Sequence, residues 1–165
     1  MAQESWSIEV DKEYLKFSAA HFLIFPDGSA ERLHGHNYRV YFRLRAALSP
    51  FGLVMDFQMV KPVIRELVEE LDEHWLVPAQ HPELHIRERD RSLEIQYRDR
   101  LYMAPKDDII LLPINNTSAE NLSSWIGREL HRRLQSRFPD VALDELWVAV
   151  EETPGQRGSY RFTRD

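Results

Sequence analysis

Leu33-His34-Gly35-His36-Asn37-Tyr38-Arg39-Val40-Tyr41-Phe42-Arg43-Leu44-Arg45-Ala46 is the stretch on which the fold turns. From His34 to Ala46 it predicts one long strand. Tyr38, Val40, Phe42 and Leu44 share one face and Arg39, Arg43 and Arg45 the other, the period of two of a half-buried strand. His34 and His36 open the apolar face, so their rings project the same way.

Upstream, Ile8 and Val10 keep one parity and Leu15, Phe17 and Ala19 the other, so a bulge is predicted near Asp11-Lys12-Glu13. His21 continues the second parity. A loop at Phe25-Pro26-Asp27-Gly28-Ser29 then allows a hairpin-like pairing that brings His21 beside His34. Downstream, Ser49-Pro50-Phe51-Gly52 is a turn, and Asp56 is the N-cap of a predicted helix. Its stripe is Phe57, Val60, Val63, Ile64, Leu67, Val68, Leu71 and Trp75. Pro62 predicts either a kink or a true start nearer Lys61. A second helix starts at Thr117 or Ser118, where Thr117-Ser118-Ala119-Glu120 has capping-box spacing. Its stripe runs through Leu122, Trp125, Ile126, Leu130 and Leu134. Leu146, Val148 and Val150 lead a strand ending at Glu151-Glu152-Thr153, and Pro154 to Gly158 turn the chain into a last strand, Ser159 to Phe162. Between the helices, 78–113 reads as a small hairpin around Arg89-Asp90-Arg91-Ser92, with a third short strand at Leu101 to Met103. The order is β-β-α-(small β insert)-α-β-β: an α+β fold, with an antiparallel sheet and two helices on one face.

The 165 residues fit one domain, 1–165. With 21 basic and 27 acidic residues, the net charge of −6 argues against a nucleic-acid or anionic-membrane partner. No cysteine is present, which excludes a disulfide scaffold, a thiolate metal site and a cysteine nucleophile. Without a basic n-region, an apolar h-region or a membrane-length apolar run, the expected setting is cytoplasmic.

Three groups of residues offer chemistry. His21, His34 and His36, converging from two neighbouring strands, would supply three of the four ligands zinc prefers and leave one position open. A polar turn at His34-Gly35-His36 with an ordinary hydrogen-bonded His21 fits the same spacing. Glu152 extends the line of Val148 and Val150, so it points into the interior or a cleft, where a heterocycle edge with two adjacent N–H donors would suit it. A solvated strand end is the simpler alternative. Asp72-Glu73-His74 places a carboxylate beside a histidine, as a general base requires, or is merely a solvated helix end.

Read in order, these pieces resemble the 6-pyruvoyl-tetrahydropterin synthase / 6-carboxytetrahydropterin synthase family. The similarity lies in Phe17-Ser18-Ala19-Ala20-His21, Leu33 to Tyr38, Val54-Met55-Asp56-Phe57, Leu71-Asp72, Ser118 to Leu122 with Trp125-Ile126, Glu152-Thr153 and Gly158-Ser159-Tyr160. It covers nearly the whole chain outside 78–113. The resemblance implies a tunnelling fold of ββααββ subunits that self-associate as trimers stacked into hexamers. It implies zinc (Zn2+) on His21, His34 and His36, and a pterin gripped by Glu152 with help from Thr117 and Ser118 of a neighbouring subunit. The implied substrate is 7,8-dihydroneopterin triphosphate, whose side-chain hydroxyls zinc binds and acidifies.

Two departures stand out. Family members with 6-pyruvoyl or 6-carboxy products use a cysteine a few residues before the His-Gly-His; here Glu31 is the side chain in that loop able to act as a base. This is similar to a subgroup with Glu in place of Cys, whose product is 6-hydroxymethyl-7,8-dihydropterin, a folate-type or methanopterin-type precursor. The family's Asp-His pair is also altered, with Asp72 followed by Glu73 and the histidine one residue later, at His74. The leading expectation is a zinc-dependent pterin lyase with catalytic Glu31, Asp72 and His74. The competing ones are a synthase that keeps the 6-pyruvoyl or 6-carboxy product, and a non-catalytic pterin-binding module.

Overall fold

A computed structural model describes residues 4–164. Along the chain it contains β1 (Ser7–Val10), β2 (Lys16–His21), β3 (His34–Ala46), α1 (Phe57–Leu71), β4 (His74–Pro78), β5 (Leu84–Arg89), β6 (Ser92–Tyr97), β7 (Arg100–Pro105), β8 (Ile109–Leu112), α2 (Ala119–Arg137), β9 (Leu143–Thr153) and β10 (Gln156–Thr163). The spine is β3. On one side it pairs with both β1 and β2, on the other with β9, and the sheet runs β10-β9-β3-β2-β4-β8. The predicted bulge is wide: residues 11–15 leave the sheet between the pairs Val10–Phe42 and Lys16–Arg39. Leu15 nevertheless returns to the core, its carbonyl accepting from Val40 N–H at 2.8 Å.

The apolar face of β3 carries the main core, as its alternation demands. Tyr38, Val40, Phe42 and Leu44 pack with Val60, Val63, Ile64, Leu67, Val68 and Leu71 of α1 and with Leu122, Ile126, Leu130 and Leu134 of α2. Each such side chain contributes about 1.5–3 kcal/mol on burial. On the opposite face two of the arginines are ion-paired, Arg39 with Asp11 at 2.9 Å and Arg43 with Glu145 at 3.2 Å.

Three expectations need correction. The sheet is mixed, because β4 lies parallel to β2 and β8 parallel to β4. Those strands hid in the sequence because they are apolar on both faces, so they have no alternation to read. Leu76 and Leu112 enter the main core, whereas Trp75, Val77 and Ile109 enter a second cluster. Second, Trp75 is not helical. The helix ends at Leu71, and Glu73 turns the chain at φ 59° before β4 begins. Third, α1 does not start nearer Lys61: it begins at half-exposed Phe57 on the expected Asp56 cap, which accepts from Gln58 N–H at 2.8 Å, and continues through Pro62.

The insert is a three-stranded antiparallel sheet, β5-β6-β7, which shares the second cluster with Phe22, Ile24 and Trp75. At the far edge of the main sheet, β10 crosses the start of α2 at Gly158. A Cβ there would lie 2.4 Å from Glu120 N and 2.5 Å from Ala119 C, both backbone atoms that cannot swing away. Gly158→Ala should therefore destabilise the protein by about 1–3 kcal/mol, the range of overpacking. An unchanged midpoint in urea unfolding would show that strand and helix are not in contact.

Candidate metal and catalytic site

The register of β2 on β3 sets His21 directly opposite His34 and Ala19 opposite His36. All three imidazoles thus meet at one end of the apolar face, with ring centroids 4.7–5.1 Å apart. One ring nitrogen from each lies within 4.8 Å of the others.

His21 is fully buried, and its Nδ1 lies 3.1 Å from the carbonyl of Thr117. A carbonyl only accepts, so Nδ1 holds the proton and Nε2 presents a lone pair. Burial holds the imidazole down at about 4, against the raising effect of the Thr117 carbonyl and with small further lowering from His34 and His36. His34 repeats the pattern, with Nδ1 2.7 Å from the Arg32 carbonyl and Nε2 turned inward, 2.9 Å from His36 Nε2. The Glu152 carboxylate also enters, its Oε1 3.2 Å from His21 Nε2 and 3.8 Å from His36 Nε2. The short contact to His21 is not a hydrogen bond: Nε2 is buried without a donor or acceptor partner. The lone pair of His21 Nε2 and the Glu152 carboxylate, facing one another at 3.2 Å, repel unless a cation sits between them, whereas His36 Nε2 and His34 Nε2 can share a proton. The residues present therefore fit a metal, and three converging imidazoles match what zinc takes.

Glu31 lies on the loop between the two histidine strands. Its Oε2 is 3.8 Å from His34 Nε2 and accepts from Leu23 N–H at 3.1 Å. Its own N–H donates to the Leu23 carbonyl at 2.9 Å, so both backbone and side chain are tied to the end of β2. Tyr38 approaches from below, its hydroxyl 3.5 Å from Glu152 Oε1, and burial with the Glu152 charge pushes its phenol well above the ordinary range.

The other candidates stand further off. The Asp72 carboxylate accepts from Ser18 N–H at 2.6 Å, and it is the Asp72 carbonyl, not the carboxylate, that meets His74 Nδ1 at 2.5 Å. His74 pairs with Ala19, which pairs with His36, so its backbone lies one strand from β2, which carries His21, and two strands, about 10 Å at ordinary spacing, from His36 on β3. Among the described residues no hydrogen bond or ion pair joins Asp72 or His74 to the three imidazoles. Thr117 is fully buried, and its hydroxyl donates to the Phe22 carbonyl at 3.1 Å. Ser118 caps α2 by accepting from Asn121 N–H at 3.3 Å. Within one chain, then, the Thr117 carbonyl orients His21 while Ser118 caps the helix that follows.

Sequence reading passed over Asn116, whose side chain bonds both backbone groups of Ile24, at 2.8 and 3.3 Å, and so fastens the Glu31 loop to the approach to α2. The Asn115-Asn116 pair just before a helix cap was the available signal.

The depressed His21 has a consequence for stability. Between its unfolded value near 6.5 and its folded value near 4, the unfolded chain binds a proton that the folded chain does not. Metal-free protein should lose stability as pH falls through that window, by up to about 1.4 kcal/mol per pH unit from this residue. Urea titrations of His21→Gln should show that part of the slope removed. An identical slope would mean His21 is charged in the folded state.

The chain matches the family model described as 6-pyruvoyl tetrahydropterin synthase over residues 9–162. A Methanocaldococcus jannaschii protein provisionally named 6-carboxy-5,6,7,8-tetrahydropterin synthase is 34% identical over 149 residues, covering 89% of this chain and 90% of the relative. Among solved structures, the 6-pyruvoyl tetrahydropterin synthase of Plasmodium vivax superposes with a TM-score of 0.91 at 30% identity, covering 98% of this chain and 100% of that one. Two variants of that protein superpose with TM-scores of 0.92 at 29% identity and the same coverage; in them a glutamate described as a catalytic residue is replaced by alanine or by cysteine. With this sheet, its two helices and the three inward histidines in the expected order, the chain belongs to the 6-pyruvoyl tetrahydropterin synthase family.

Proposed function

We propose that this chain is a zinc-dependent lyase that converts 7,8-dihydroneopterin triphosphate to 6-hydroxymethyl-7,8-dihydropterin. The observation that carries the reading is the Glu31 carboxylate, 3.8 Å from a histidine of the cluster in a chain without cysteine. The catalytic glutamate of the Plasmodium vivax protein supports Glu31 as the base, while that protein's name favours a 6-pyruvoyl product.

His21, His34 and His36 would hold the metal, which when bound would acidify the hydroxyls of the substrate's side chain. Glu152 takes the amino-pyrimidine edge, where two parallel N–H donors match a carboxylate. Glu31 removes the proton of the outer hydroxyl. The bond between the two hydroxyl-bearing carbons then breaks: the outer carbon leaves as an aldehyde, and its electron pair passes to the carbon on the ring. Glu31 returns the proton there, so the hydroxymethyl product forms with no net change in protons. Asp72 and His74 serve a site completed by self-association into trimers or hexamers, since among the described residues no hydrogen bond or ion pair joins them to the histidine cluster of their own chain.

The test is to incubate zinc-loaded protein with 7,8-dihydroneopterin triphosphate and identify the pterin formed. A 6-carboxy product, which the name of the Methanocaldococcus relative favours, or a 6-pyruvoyl product would overturn the assignment of the bond broken. Stoichiometric binding with no turnover would leave a pterin-binding module.

A further inference from the structure

The loop 22–33 carries Glu31 past the histidine cluster, and its own backbone bonds are few. Ile24 bridges Ala30, Phe25 N–H donates to Ser29, and Gly28 N–H donates to Phe25. Loops of this length and exposure ordinarily move, and a base must be held where it is needed. The insert supplies what the loop lacks. Strand β7 begins at Arg100, whose guanidinium donates through Nη2 to the Ala30 carbonyl at 2.9 Å and through Nη1 to the Glu31 carbonyl. Buried Tyr97, opposite Arg100 in the β6–β7 pair, donates its hydroxyl to the Gly28 carbonyl at 2.9 Å. Phe22 and Ile24 sink into the same apolar cluster as Leu84, Leu93, Ile95 and Tyr97, with Ala30 packed against it.

We propose that Arg100 is a positioning residue for Glu31, and that the insert serves the reaction by bracing the loop that carries the base. The inference rests on the reading of Glu31 as the base. Two consecutive carbonyls in reach of one planar guanidinium define the height and tilt of the Glu31 backbone, a geometry that a lysine ammonium cannot reproduce. The result is a residue fixed at three points: its N–H and Oε2 on Leu23, and its carbonyl on Arg100. Among the described residues, Oε1 accepts no hydrogen bond and is left for the substrate proton.

The test uses Arg100→Gln, Arg100→Lys and each combined with Glu31→Gln. Arg100→Gln should lower kcat by about 10–100-fold, as a small misplacement of a reacting group does, with KM within a few-fold. Arg100→Lys should recover only part of the loss. In a Glu31→Gln background, neither Arg100 change should slow the enzyme further, because Arg100 acts through the base. Hydrogen exchange supplies a readout independent of turnover: the amides of Leu23 and Glu31 should lose protection in Arg100→Gln, while those of β3 and α2 keep theirs. Unaltered protection at Leu23 and Glu31, a loss that multiplies fully with Glu31→Gln, or complete recovery by lysine would each overturn the inference. If Glu31→Gln alone has full activity, the reading of Glu31 as base fails first, and that outcome is distinct from the others.

Discussion

Glu31→Gln should turn over about 10²–10⁴-fold more slowly than the unaltered protein, the usual cost of losing a general base, at equal zinc content. The substitution isolates the proton-accepting role. A carboxamide keeps the size of the side chain, and its oxygen can still accept from Leu23 N–H where Glu31 Oε2 now does. The loop keeps its other ties, because the Leu23 and Arg100 contacts to the backbone of residue 31 do not involve the carboxylate. The three histidines are not disturbed either: at 3.8 Å from His34 Nε2, the Glu31 carboxylate makes no hydrogen bond that orients the imidazole. That orientation comes from the Arg32 carbonyl on Nδ1. The decisive quantity is kcat on 7,8-dihydroneopterin triphosphate. A rate within a few-fold of the unaltered enzyme would pass the role to His74 or Asp72, and with it reopen the choice of product.

The residues easiest to read from sequence were those whose neighbours repeat with a simple period. The alternation Tyr38, Val40, Phe42, Leu44 determines a strand and its buried face, and so determines where His34 and His36 point. His21 follows from the same parity once the loop is read as a hairpin, and the observed His21–His34 register is the one that parity requires. The parallel strands β4 and β8 were illegible for the opposite reason. Trp75-Leu76-Val77 divides its side chains between two cores, and Trp75 falls four residues after Leu71, where a helical stripe would continue. Two residues separate helix from strand, an extended Asp72 and a left-handed Glu73, the latter a residue type with no preference for that conformation. The supports of the site were equally hidden. Arg100 meets Ala30 and Glu31 across some seventy residues of chain, and no local pattern announces that contact. Thr117 is a substrate contact by resemblance, and no sequence pattern announces that its carbonyl also meets His21 Nδ1.

Removal of a single imidazole should separate metal binding from folding, and His34 is the one to remove. His34→Ala is expected to release zinc on dialysis, with affinity reduced by more than the roughly 10–100-fold typical of changes in outer-shell partners. Activity should fall with the metal, and the unfolding midpoint of the metal-free protein should stay close to that of the metal-free parent. The asymmetry among the three histidines makes this a sharp test. His34 is 38% exposed, and its Nδ1 partner, the Arg32 carbonyl, lies on a loop open to water, so truncation leaves neither a cavity nor a stranded acceptor. His21 is fully buried, and His21→Ala would leave the Thr117 carbonyl without its donor in the interior, at about 1–3 kcal/mol. A His21 variant would therefore confuse loss of metal with loss of fold. Elemental analysis of His34→Ala, beside its unfolding curve without metal, reads the two effects apart. Zinc retained at one per chain after dialysis would mean that His21, His36 and Glu152 suffice to bind it, and that His34 faces the cluster without being a ligand.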